Sequence, residues 1–378
     1  MRNSKFDDIR PYYDEEIPAA MERIANNEYF PLLVSYVFPE HNIDEVKSLF
    51  KTFKVISDFQ YGVMKYANEQ IISRSTTSFV CEGIENVTKD KNYLYVSNHR
   101  DIMLDSSLLQ YVLYKNGMDT TEITFGANLM SSELVIDIGK SNKMFRVERG
   151  GNMKEFYKSS LHLSEYIRYV ITEKGQSVWI AQRNGRTKDG NDATDQGIIK
   201  MFCMSRTDDK IKSVSELNIV PVTVSYEWEP CDFFKAYELY VSRTEKYVKK
   251  SGEDLNSILT GIVQPKGDVT FVVGVPLTEA DLVEYEECSS NDYHKSIAKL
   301  LDKRIISNYK LYPNNYIAYD MLFGTDKFAS KYSDGQKAAF EKHMSKLNEY
   351  NVDEPEVLRD IFLGIYANPV KNSMDLSL

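Results

Sequence analysis

Between residues 76 and 280, short β-branched and aromatic runs alternate with stretches of helical periodicity. That alternation leaves few architectures open. Residues 76–82, 93–97, 122–125, 145–147, 177–181, 218–226 and 268–273 read as strands. Residues 106–115, 154–174 and 197–205 carry helical spacing between them. Strands that alternate with helices predict an α/β fold, a mostly parallel sheet covered by helices. The flanks read differently. In residues 1–75, Pro18 suits a first helical turn, and Ala19, Ala20, Met21, Ile24 and Ala25 recur at helical spacing. Residues 45–72 repeat the pattern with Val46, Leu49, Phe50, Phe53, Ile56 and Phe59. Beyond about residue 280 the chain turns helical again, through 293–311 and 334–350. The organisation expected is a helical region 1–75, an α/β domain 76–280 and a helical extension 281–378.

Composition narrows the partners. The formal net charge of −10 argues against nucleic acid. It leaves room for a local basic face, because charges act within a Debye length of about 8 Å. One such run, Arg243, Lys246, Lys249 and Lys250 with Tyr240, Val241, Tyr247 and Val248, reads as part of a helix that could meet anionic lipid or lie solvated. The four cysteines are far apart and form no C-x-x-C pair, so neither a zinc site nor a disulfide framework is indicated, and a reducing cytoplasm fits. No run of 18 apolar residues and no apolar leader is visible. Chemistry on lipids would be done from the membrane surface.

Four segments carry the polar chemistry. In the first, His99 stands where the strand 93–97 stops, with Asp101 and Asp105 close behind. Histidine, with an unperturbed pKa of about 6.5, can accept a proton at neutral pH, and a carboxylate behind it fixes the tautomer. The second is the segment 143–151, a short alternating strand that exits into Arg149-Gly150-Gly151. The third is the strand ending at Ala181 and its polar loop 183–192, with Asn184, Gly185, Arg186 and Lys188. The fourth is the Pro221-bearing strand that runs into Ser225-Tyr226-Glu227.

Taken in this order the segments resemble the four blocks of the glycerolipid acyltransferase superfamily, whose members acylate glycerol 3-phosphate or lysophosphatidate. The blocks are N/C-H-x-x-x-x-D, an apolar strand ending in Arg, E-G-x-R after a strand, and an apolar strand with Pro. The stretch from His99-Arg100 to Tyr111-Val112-Leu113-Tyr114 is similar to the bacterial glycerol-3-phosphate acyltransferase version. The resemblance covers roughly residues 76–280 and leaves the helical flanks unexplained.

It implies His99 as general base, oriented by Asp105, with Arg149, Arg186, Asn184, Gly185 and Lys188 around the acceptor's anionic group; Arg146 and Arg100 are secondary candidates. It implies acyl-CoA or acyl carrier protein as donor, a phosphate-bearing glycerolipid acceptor, no metal or redox cofactor, and a cytoplasmic enzyme peripheral to the inner face of the membrane. Two departures stand out. Asp105 lies one residue farther from His99 than in the family, with Asp101 as the alternative partner or a helix N-cap. Asn184 precedes Gly185-Arg186 in a block one residue shorter than the family's E-G-x-R, and an amide cannot act as a charged anchor. Other acceptors, such as an N-acyl amino acid lipid, and a non-catalytic lipid-binding relative therefore stay open. The remaining histidines, together with Tyr226 and Trp179, read as structural.

Overall fold

The computed structural model describes residues 3–130, 132–148, 150–250 and 252–376. Its centre is a seven-stranded sheet built from β1 (Thr76–Glu82), β2 (Leu94–Ser97), β3 (Glu122–Gly126), β4 (Met144–Val147), β5 (Val178–Ala181), β6 (Ile219–Tyr226) and β7 (Gly267–Val273). The order across the sheet is β1-β7-β6-β2-β5-β3-β4. β2 lies in the middle, parallel to β5 on one side and β6 on the other, with Val96 opposite both Ile180 and Pro221.

Alternation along the central strands feeds two apolar layers. Leu94, Val96, Val178, Ile180 and Ile219 face one core, shared with α2 (Met153–Tyr169), α3 (Gln196–Cys203) and α6 (Ser290–Ser307). Tyr95, Trp179, Val220, Val222 and Val224 face the other, covered by α1 (Leu104–Lys115) through Leu108, Leu109, Val112 and Leu113. The helix after β4 starts at a capping box: Asn152 accepts from the Lys154 and Glu155 N–H groups, and Glu155 returns to the Asn152 N–H. Its periodic stretch is α-helical only to Tyr169 and continues as a π-helical turn, Val170–Lys174.

One pairing breaks the parallel expectation. β7 runs antiparallel to β6. A strand, two helices and a strand look like a parallel crossover in sequence, yet here the ladder simply continues past the strand ends, through Glu227 N–H to Asp268 O (2.9 Å) and Trp228 N–H to Lys266 O (3.0 Å). Residues 227–266 therefore leave and rejoin the sheet at the same edge, the edge where β2 ends. Two helices, α4 (Asp232–Val241) and α5 (Glu253–Val263), belong to this excursion.

The N-terminal helices fold around their own core, including Ile17, Met21, Phe30, Phe50 and Phe59. Buried Asp137 joins them to the sheet domain, accepting from Arg23 (2.6 and 2.8 Å) and Tyr12 (2.6 Å). At the other end, α7 (Pro313–Phe323), α8 (Asp334–Met344) and α9 (Pro355–Asp375) pack Phe340, Phe362, Leu363 and Tyr366 against Ala236, with Trp228 and Phe233 at the margin. α9 also lies on the 183–192 loop. Gly190 sits there at φ +77°, and a Cβ on it would come within 2.2 Å of the Ile365 carbonyl.

Candidate active site

The site grows from the end of β2. Asp101 caps the helix that follows: its Oδ1 accepts from the N–H groups of Met103 and Leu104, both at 2.9 Å. That cap starts α1 at Leu104 and puts Asp105 in its first turn, buried, directly behind His99. Asp105 Oδ2 lies 2.9 Å from His99 Nδ1 and also accepts from the backbone N–H of Arg100 (2.6 Å) and Asp101 (2.9 Å). A carboxylate oxygen already receiving two backbone donors is an acceptor, so Nδ1 carries the proton and Nε2 is left basic. Of the two acids in the motif, Asp105 is the one on His99. Asp101 is the cap.

The other oxygen of Asp105 accepts from the Tyr226 hydroxyl at 2.9 Å. Burial, reinforced by the charges of Asp105 and Asp101, pushes the Tyr226 phenol well above its ordinary pKa, so it remains a donor. The Trp179 ring, one strand over, stands edge-on to the imidazole with centroids 5.8 Å apart. Both residues pack directly on the dyad. The β6 residue was invisible from the motif because its contact spans 121 positions of sequence.

Arg100 is neither solvated nor turned toward a substrate. It is buried and donates to Asp192 through Nε (3.1 Å) and Nη2 (2.6 Å), with Glu229 3.4 Å from Nη1. Burial alone would raise the Asp192 carboxyl, but the Arg100 charge and the hydrogen bonds of Tyr309 and Asn98 hold it below the usual carboxylate range. Asn98 bridges Asp192 to the Val224 carbonyl, both at 3.0 Å. Lys235 on α4 closes the set, donating to the Arg100 carbonyl and to Glu229, each at 2.7 Å. This network clamps both sides of His99.

The 183–192 loop comes to the same place. The Thr187 N–H donates to the His99 carbonyl at 2.7 Å. Gly185 turns the loop at φ +77° in open space, and Asn184 is exposed. Arg186 is partly buried, its Nη1 is shielded from solvent without a hydrogen-bond partner, and the side chain lies beside the Cys231 thiol. Lys188 is tied to Glu238 in an ion pair and is turned toward α4. Arg146 pairs with Glu148 at 2.7 Å. Arg149 lies outside the described residues. The basic run expected on a helix is not helical: Arg243, Lys246, Lys249 and Lys250 lie between the end of α4 at Val241 and the start of α5 at Glu253.

A buried histidine–carboxylate dyad at the carboxyl edge of a helix-covered sheet, with the loop that carries Arg186 hydrogen-bonded to the His99 carbonyl, can draw a proton from a hydroxyl. Comparison with known proteins gives this a class. Residues 78–225 match the model of the family described as Acyltransferase. The matched stretch holds the His99 segment, the 183–192 loop and the Pro221 strand, so this part of the chain is similar to the acyltransferase family in the direction that the four sequence blocks imply. Among solved structures it is similar to the 1-acyl-sn-glycerophosphate (LPA) acyltransferase PlsC of Thermotoga maritima, at 14% identity over 75% of this chain and 94% of that one, with a TM-score of 0.40. No curated protein matches the chain.

Proposed function

We propose that the protein moves a fatty acyl group from a thioester, acyl-CoA or acyl carrier protein, to a hydroxyl of glycerol 3-phosphate or lysophosphatidate. The observation that carries this reading is the His99–Asp105 contact of 2.9 Å with Arg186 Nη1 left unpaired nearby. His99 Nε2 takes the hydroxyl proton as that oxygen attacks the thioester carbonyl. Asp105, fixed by Tyr226 and two backbone donors, compensates the imidazolium. The tetrahedral intermediate collapses by breaking its C–S bond, and the leaving thiolate takes the proton back from His99.

The oxyanion needs donors of its own. Those at the start of α1 are spent: Arg100 and Asp101 N–H serve Asp105, and Met103 and Leu104 N–H serve Asp101. The loop around Gly185 is the remaining source. Arg186 offers forked donors for the acceptor's phosphate, with Arg149 as second partner.

No helix among the described residues is long and apolar enough to cross a membrane. Lipid would be met at a surface, and α5 offers one: Leu255, Leu259 and Val263, 56%, 49% and 62% exposed, recur four residues apart. Of the basic run, Arg243 is paired with Glu354 and Lys249 with Asp254, so the apolar stripe is the better contact.

The test is a transfer assay that follows free thiol release and product mass with palmitoyl-CoA and palmitoyl carrier protein, across glycerol 3-phosphate, lysophosphatidate and an N-acyl amino acid. Acylated glycerol phosphate is the expected product. Product only from the N-acyl amino acid would move the acceptor. Lysolipid binding with no product from any pair would make the chain a non-catalytic relative.

A further inference from the structure

We propose that the excursion 227–266 and the C-terminal helices complete the active site by supplying the pocket for the donor's acyl chain. This rests on the acyl-transfer reading above and places a part of it that the family match, ending at residue 225, does not contain. A cavity of about 340 Å³ opens between the two, walled by Trp228, Phe233, Phe234, Pro265 and Tyr350, with Cys231 at its floor. That volume lies within the range of roughly 300–1,000 Å³ usual for small-molecule sites.

Three contacts tie the walls of the cavity to the residues around His99. β6 ends in Tyr226, whose hydroxyl is on Asp105, and Trp228 follows two residues on. Phe233 and Phe234 precede Lys235, which holds the Arg100 carbonyl. Thr260, on the cavity wall, precedes Gly261, packed so closely on Asp101 that a Cβ would lie 2.2 Å from its Oδ2. Cys231 holds a left-handed backbone at φ +56°, a conformation a non-glycine residue keeps only where its surroundings impose it, and it lies beside Arg186.

The lining also says which substrate enters. Asp232 and Glu349 are its carboxylates, and His343 is committed to Asp232 at 2.7 Å between the rings of Trp228 and Phe233. Lys346 lines it as well as Glu349, and Asp232 is spent on His343, Tyr366 and Gln264, so the lining gathers no net positive charge for a phosphate, whereas its aromatic walls suit an uncharged hydrocarbon chain. The donor's chain is the occupant.

The chain has two tryptophans, so Trp228 reports on the cavity directly. A non-transferable thioether analogue of palmitoyl-CoA, brominated in mid-chain, is titrated against wild type and Trp228→Phe. Saturable quenching that the substitution removes supports the pocket. Quenching confined to Trp179, or seen only with brominated lysophosphatidate, overturns it.

In parallel, Thr260→Phe fills the cavity. Each methylene buried is worth about fourfold in binding, so the palmitoyl-over-octanoyl ratio of kcat/KM should fall about tenfold or more. An unchanged ratio in a folded, active variant counts against the proposal. Transfer without quenching of Trp228 removes the pocket and leaves the acyl-transfer reading intact. Quenching without transfer keeps the pocket and removes that reading.

Discussion

Asp105 receives four donors, and the one that arrives from farthest along the chain is the Tyr226 hydroxyl. Tyr226→Phe deletes that donor and little volume. A hydrogen bond to a charged group is worth about 1.5–3 kcal/mol, so kcat should drop roughly 10- to 100-fold if the bond orients the dyad. A merely structural tyrosine would lower the denaturation midpoint and spare kcat, so steady-state kinetics beside urea unfolding separates the two. The pairing of His99 with an acid was legible from the motif. The resemblance implied Asp105, with Asp101 left as the alternative, because the choice turns on how Asp101 caps the helix, a matter of backbone geometry.

Lys266 supplies a second test at this scale. Burial lowers its pKa to about 8, against the opposing pull of Asp101 and Cys231. In the unfolded chain it titrates near about 10.4. Between those values the unfolded state binds a proton that the folded state does not, so this residue makes stability rise with pH across the window. Below pH 8 the full cost of the buried charge is present. Urea midpoints from pH 8 to 10 should therefore climb more steeply in wild type than in Lys266→Met; parallel slopes would assign the shift elsewhere.

Among the elements, the strands read most directly. Seven short apolar runs with turn signals between them leave little choice of place, and Leu94 to Ser97 is buried at every position. Strand direction was not legible between β6 and β7. Direction depends on where the intervening chain returns, and residue patterns in α4 and α5 do not encode that.

The helix α5 consequently roofs the segment after β2 that holds Asp101. Gly261→Ala, with its Cβ driven against Asp101, should cost about 1–3 kcal/mol of stability and depress transfer, read by thermal unfolding and the transfer assay. A variant as stable and active as wild type would mean that the helix can retreat. On the outer face of the same helix, Leu259→Glu should reduce co-sedimentation with anionic lipid vesicles severalfold, since it places a charge in the apolar stripe. Unchanged sedimentation would move the membrane contact to another surface.

At the scale of the whole molecule, the sheet presents His99, the 183–192 loop is held to it through the Thr187 N–H, and α4 and α5 close the sheet edge above. The helical flanks were the least legible part. Their periodicity predicts helices, as found, while where those helices dock depends on single contacts such as Asn368 on the Asp189 carbonyl at 2.6 Å.

The central claim is that His99 draws the proton from the acceptor hydroxyl. The direct measurement is single-turnover acyl transfer from palmitoyl-CoA to the acceptor that the panel identifies, in wild type and in His99→Ala, with folding checked by circular dichroism. The rate of the variant should fall about 10²–10⁴-fold at an unchanged fold. Equal rates in the two folded proteins would contradict it.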